Sequence, residues 1–156
     1  MIFLKKKSCI IIFIGVGHSC KIDNTLDSEL YVQILQHELI ETIEYYELDH
    51  EEVIFQQDNA PCHTSKQTKS AISDLNLEVM DWPAQSPDLN PIEHFWSHVS
   101  RELKRKTGIL QSKEELWEEL QEILGETNRD LCRKLIGTMS RRIIDVIKAK
   151  GGYTKW

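Results

Sequence analysis

Val53-Ile-Phe55 is a short apolar run that stops at Gln56-Gln57-Asp58, and Thr64 or Ser65 then opens a helical segment running to about Leu75. The run reads as a strand that delivers an acid just past its carboxyl end. In open α/β sheets functional groups collect outside the carboxyl ends of strands, so this placement constrains fold and function together. Leu77 to Met80 supplies another short strand after the helix. Strands alternating with helical segments make the expected class α/β.

Upstream, residues 9 to 16 are β-branched and aromatic and end in Gly15-Val-Gly17, which predicts a strand and a turn into a second strand near Ser19 to Ile22. The start Lys5-Lys-Lys7 followed by that apolar run also resembles the basic and apolar parts of a secretory signal. The run is too short to span a bilayer, no small-residue cleavage site follows it cleanly, and a buried strand explains the same residues. Asp27-Ser28 can cap a helix whose apolar residues Leu30, Ile34, Leu35, Leu39 and Ile43 carry it to about Tyr46.

Downstream, the Pro-studded stretch Trp82 to Pro91 reads as a rigid connection rather than a domain linker. Asn90 as cap and Pro91 at the first position open a helix with the stripe Ile92, Phe95, Trp96, Val99 and Leu103, and Glu93 lies on the flank of that stripe. Ser112-x-x-Glu115 is a capping box. Asn128 caps a last helical stretch carrying Leu131, Leu135, Met139, Ile143 and Ile147, breakable near Gly137 or Ser140 and ended by Gly151-Gly152. No internal repeat or low-complexity segment occurs, and 156 residues suit one domain.

The net charge of -6 hides an asymmetry: residues 1 to 98 carry 6 Lys and Arg against 16 Asp and Glu, and the remainder 13 against 9. A nucleic-acid footprint is therefore sought in the C-terminal part, at Lys104-Arg-Lys106, Arg133-Lys134 or Arg141-Arg142, although charge runs are usually solvated helix faces. Cys9, Cys20, Cys62 and Cys132 show neither metal-site spacing nor the density of a disulfide scaffold, so the reading is reduced thiols inside a cell.

Asp58 and Glu93 have 34 residues between them and are the carboxylates best placed for metal chemistry. A phosphodiester-cutting site with two ions about 4 Å apart needs carboxylates converging from separate elements. Each has a bland reading: Asp58-Asn59 as a turn, and Asn90-x-x-Glu93 as a capping box whose glutamate reaches back to the cap N–H. His94 and His98, spaced i, i+4, could ligate a metal with Glu93, but no further ligands follow by spacing. Cys62-His63 could be a nucleophile pair, but His63 is better explained as shaping the turn after Asp58.

The surrounding segments decide between these readings. Gln57-Asp-Asn-Ala-Pro-Cys-His63 and Trp82-Pro-Ala-Gln-Ser-Pro-Asp-Leu-Asn-Pro-Ile-Glu93, followed by Trp96, resemble the second and third acidic motifs of mariner-type DDE transposases of the Tc/mariner superfamily. The 34-residue gap matches one branch of that superfamily, and the likeness extends through Leu116-Trp117, Arg141-Arg142 and Val146-Ile-Lys-Ala-Lys-Gly-Gly152 and back to Gly15-Val-Gly17.

The resemblance implies an RNase H-like fold in which an aspartate on the first strand, an aspartate after the fourth and a glutamate on a later helix hold two Mg²⁺ or Mn²⁺ ions. Asp58 and Glu93 match the second and third. It further implies metal-dependent phosphodiester cleavage and strand transfer, DNA as partner at transposon ends and target, a homodimer or an intact transposase as protein partner, no membrane, and a nuclear location. Only a short Lys-rich start precedes the Gly15-Val-Gly17 segment, so the first acid and first strand are expected to be missing; Asp23 and Asp27, the nearest acids, lie after the hairpin. No helix-turn-helix candidate occurs before residue 50. The expectation is a single catalytic domain truncated at its N-terminus, with Asp58 and Glu93 as remnant metal ligands and little activity by itself; the alternative is a non-catalytic DNA-binding or dimerising module derived from a transposase.

Overall fold

The computed structural model describes residues 2–4, 7–12, 14–23, 25–84, 86–106 and 112–156, with side chains described from residue 14 onward. The chain opens on a sheet in the order β1 (Ile2–Leu4), β2 (Lys7–Ile12), β3 (Gly15–Lys21). The expected hairpin is present as β2 and β3. A strand the sequence did not announce precedes it, antiparallel to β2 with Ile2 opposite Cys9 and Leu4 opposite Lys7. β1 carries no carboxylate.

Asp27 caps α1 (Ser28–Ile34), accepting from the Leu30 N–H at 2.9 Å. The helix continues through a π turn (Leu35–Leu39) into α2 (Ile40–Tyr45), so the expected end near Tyr46 holds. The π turn has a physical reason. Tyr31, Leu35, Leu39 and Ile43 repeat every four residues, and such a stripe drifts by about 40° per step around an ideal α-helix. The wider turn cuts that drift. All four side chains are at most 3% exposed.

β4 (Ile54–Phe55) and β5 (Glu78–Val79) pair in parallel, Ile54 opposite Glu78 and Phe55 opposite Val79, and the Met80 N–H extends the ladder to the Phe55 carbonyl at 2.9 Å. A parallel pair needs a crossover. Here it is α3 (Pro61–Thr64) and α4 (Lys66–Asp74), which Ser65 caps by accepting from the Thr68 N–H. α1 packs against both crossover helices.

After a 3₁₀ turn at Pro87–Leu89, α5 (Pro91–Lys106) buries Ile92, Phe95, Trp96 and Val99. It packs on α6 (Lys113–Glu126), capped by Ser112, and on α7 (Arg129–Gly137), capped by Asn128. The last helical stretch breaks at Thr138 before α8 (Met139–Lys148), and Gly151, at φ +79°, ends it. One expectation fails: Ile143 and Ile147 lie 45% and 69% exposed. α8 instead turns Arg142 inward, 1% exposed.

By Cα proximity the chain forms two compact units, Met1–Ile10 with Gly17–Gln85 and Ile11–Val16 with Ser86–Trp156. Among the described residues no helix is long and apolar enough to cross a membrane. Lys5 and Lys6 of the signal-like start lie outside the described residues, and Lys7 begins a strand.

Candidate functional site

Asp58 belongs to the first unit and sits three residues beyond β4, as the sequence predicts. Its Oδ1 accepts from the Ala60 N–H at 2.9 Å and from His63 Nδ1 at 2.6 Å. The carboxylate can only accept, so His63 carries its hydrogen on Nδ1. That bond, ahead of all other causes, holds the Asp58 carboxyl below the usual carboxylate range, against the opposing effect of burial.

His63 is in turn fixed from behind. It is 2% exposed and its ring lies 4.2 Å from that of Tyr31, centroid to centroid. The Tyr31 hydroxyl donates to Gln57 Oε1 at 2.6 Å, and Gln57 Nε2 donates to the His63 carbonyl at 3.3 Å. Asn59 ties the turn to the Trp82 carbonyl at 2.8 Å. The turn reading and the ligand reading of Asp58 therefore coexist. Oδ1 closes the turn, while Oδ2 has no hydrogen bond among the described residues and its side chain remains half exposed. Burial pushes the Cys62 thiol up, away from thiolate, and His63 Nδ1 is engaged by Asp58, both of which count against the nucleophile-pair reading.

Glu93 belongs to the second unit, on the exposed side of the first turn of α5. The Asn90 N–H, which a capping-box glutamate would accept from, donates to the Pro87 carbonyl at 2.8 Å. The Asn90 side chain does not cap either: its Oδ1 is buried with no partner among the described residues. The Glu93 carboxylate is thus not committed to capping, and no hydrogen bond of it is formed among the described residues.

From Glu93, Ser97, Arg101 and Lys104 follow at helical spacing along α5, lining a groove of about 590 Å³ floored by Trp96, Leu131 and Leu135. Lys104 was among the basic candidates. Arg101 was not, although its spacing from Glu93 was legible. The other basic candidates divide: Lys106 is paired with Glu126 at 2.6 Å, and Arg141 is exposed, but Arg142 is buried and out of reach of any phosphate. Its guanidinium donates to His94 Nδ1, so that nitrogen is not open to a metal as the His94 and His98 pairing required. Burial, then the Arg142 charge, holds His94 below the ordinary imidazole range.

Of the two acids nearest the N-terminus, Asp27 is spent as the α1 cap and Asp23 pairs with Lys21 at 3.6 Å. A cluster the sequence did not single out joins His18 with Glu38 and Glu41, one ligand-type atom of each within 4.8 Å of the others. His18 Nδ1 pairs with Glu41 at 2.8 Å and the His18 N–H with Thr42 at 2.8 Å, tying β3 to the helix behind it. Cys20, Cys62 and Cys132 form no disulfide among the described residues. The side chain of Cys9 lies outside the described residues.

The donors fit the metal that the two acidic motifs imply. Hard cations such as Mg²⁺ and Mn²⁺ take oxygen ligands, and each of the two carboxylates keeps an oxygen without a hydrogen bond among the described residues.

Comparison with known proteins agrees with the motifs. The profile of DDE superfamily endonucleases matches residues 6–117. The Tcb2 transposase of Caenorhabditis briggsae and the Tc1 transposase of Caenorhabditis elegans are each 40% identical over 104 residues, 66% of this chain and 37% of their own length. The chain thus spans less than two-fifths of these relatives. The catalytic domain of Mos1 mariner transposase, from an element of Drosophila mauritiana, superposes with a TM-score of 0.83 at 25% identity, over 96% of this chain and 75% of that one. This likeness shows the RNase H-like DDE fold. The chain belongs to the DDE superfamily endonucleases and has homologues among the Tc1/mariner transposases.

Proposed function

We propose that this chain is catalytic-domain sequence of a transposase, and that Asp58 and Glu93 are ligands for divalent Mg²⁺ or Mn²⁺. The observation that carries this is the state of Asp58: His63 Nδ1 and the Ala60 N–H hold Oδ1, which leaves Oδ2 for a cation. Similar Mos1 structures have been solved with Mn and with Mg, and in paired-end and strand-transfer complexes, which supports a divalent ion and DNA as partners here.

When bound, such ions activate water or a 3'-hydroxyl and stabilise charge on the phosphodiester. The protein residues have separate tasks. His63, backed by Tyr31 and Gln57, keeps Asp58 ionised and oriented. Glu93 presents its carboxylate from the first turn of α5. Arg101 and Lys104 line the groove that begins at Glu93 and offer charge to backbone phosphates.

The family triad has a third carboxylate, and the first acid in this sequence is Asp23. Strand cleavage and strand transfer are therefore proposed for a site in which a third acid joins Asp58 and Glu93. Exposed Arg101 and Lys104 along the groove favour a second reading, a DNA-binding or dimerising module derived from a transposase. The family resemblance makes the nucleus the proposed location.

Plasmid nicking in Mn²⁺ separates the two. Nicking that Asp58→Ala and Glu93→Ala each abolish supports the enzyme, and DNA binding with no nicking supports the module. Nicking that survives both substitutions overturns the assignment of the two carboxylates.

A further inference from the structure

Arg142 is a cation shut inside the second unit, 1% exposed. Its Nε donates to Thr138 Oγ1 at 2.7 Å, Nη1 to the Asp88 carbonyl at 2.8 Å and Nη2 to His94 Nδ1. Its Cζ lies 4.7 Å from the centre of the Trp156 ring. These partners are a hydroxyl, a carbonyl, an imidazole and an aromatic face. A buried cation among such partners is a poor way to gain stability compared with an apolar side chain. What the rigid guanidinium fork supplies is geometry, because its donors fix Asp88 and His94 relative to each other.

The C-terminal segment closes over the same point. The Thr154 N–H and hydroxyl donate to Asp88 Oδ2 at 2.8 and 2.7 Å, and Trp156 Nε1 donates to Asp145 Oδ2 at 3.0 Å. A second observation says why such outside support is needed. α5 begins without a side-chain cap, since Asn90 Oδ1 is buried and unpartnered among the described residues. The first turn of α5 is held by bonds to Asp88 and His94, on either side of its start, and His94 is the neighbour of Glu93.

We propose that Arg142, locked under Trp156, is a positioning residue for the Glu93 carboxylate, and that the C-terminal segment is the clasp that keeps it in place; this rests on the reading of Glu93 as a metal ligand. The clasp acts by fixing the turn from which Glu93 projects.

The test compares the full chain with Arg142→Lys, Trp156→Ala and Glu93→Gln, reading amide hydrogen exchange at residues 92–95 and Mn²⁺ affinity. The clasp predicts exchange at 92–95 about ten-fold faster in Arg142→Lys and Trp156→Ala, with α6 unchanged. It also predicts roughly ten-fold weaker Mn²⁺ binding in both. Lysine keeps the charge but not the fork, so a role limited to charge would be restored by Arg142→Lys. Glu93→Gln should lose Mn²⁺ binding and leave exchange alone.

Wild-type exchange at 92–95 in a cooperatively folded Arg142→Lys or Trp156→Ala chain overturns the clasp. Should Arg142→Lys fail to fold, Trp156→Ala decides on the same readouts. Mn²⁺ binding indifferent to Glu93→Gln overturns the metal reading, and the proposal that rests on it, while exchange still reports whether the clasp holds the turn.

Discussion

At the residue scale, Asp58 shows how a side chain can close a turn with one carboxylate oxygen and leave the other without a hydrogen bond among the described residues. An acid placed just past a strand end was legible from the run Val53 to Phe55, but the ordering of its two oxygens was not. That ordering comes from His63, five residues on, and from Tyr31, which lies 26 residues before Gln57 in the chain. Nothing in local periodicity announces a bond across that distance. Tyr31→Phe removes the donor and leaves Gln57 Oε1 buried, so it should destabilise the chain by about 1–3 kcal/mol, read as a lower denaturant midpoint with an unchanged slope. Arg142 is the reverse case. A basic pair near the C-terminus looked like a phosphate contact, and one member is interior, because a guanidinium can be buried when each of its three nitrogens has an acceptor.

At the element scale, the caps divide by how local they are. Asp27, Ser65, Ser112 and Asn128 all cap as their sequences predict, because each bonds an N–H two or three residues ahead. Asn90 does not, because the Pro87–Leu89 turn already takes its N–H and leaves its side chain buried. Ser112→Ala should cost about 1 kcal/mol, and Ser112→Asp should restore most of it in the same denaturation assay. The C-terminal segment gives a pH prediction. Hydrogen bonds from Thr154 hold the Asp88 carboxyl below its ordinary range. A carboxylate depressed in the folded chain contributes stability that is present above the unfolded value of about 3.9 and disappears as pH falls through the folded one. Thr154→Val should therefore destabilise the chain at pH 6 and lose that effect towards about pH 2, as measured by denaturant midpoints across the range.

At the scale of the whole molecule, the fold and the family were legible because two long acidic motifs and their spacing survive intact. The strand β1 was not legible, since three apolar residues beside a lysine run carry no periodicity to separate strand from signal-like sequence. The chain matches the Mos1 catalytic domain over 96% of its length but spans only 37% of its nematode relatives. The proposed function turns on whether Asp58 and Glu93 hold a cation. Titration of Mn²⁺ into the 156-residue chain, followed by electron paramagnetic resonance and competed with Mg²⁺, measures this without requiring turnover. Saturable binding is expected, displaced by Mg²⁺ and weakened roughly ten-fold or more by either Asp58→Ala or Glu93→Ala. Equal binding by all three proteins would contradict that expectation.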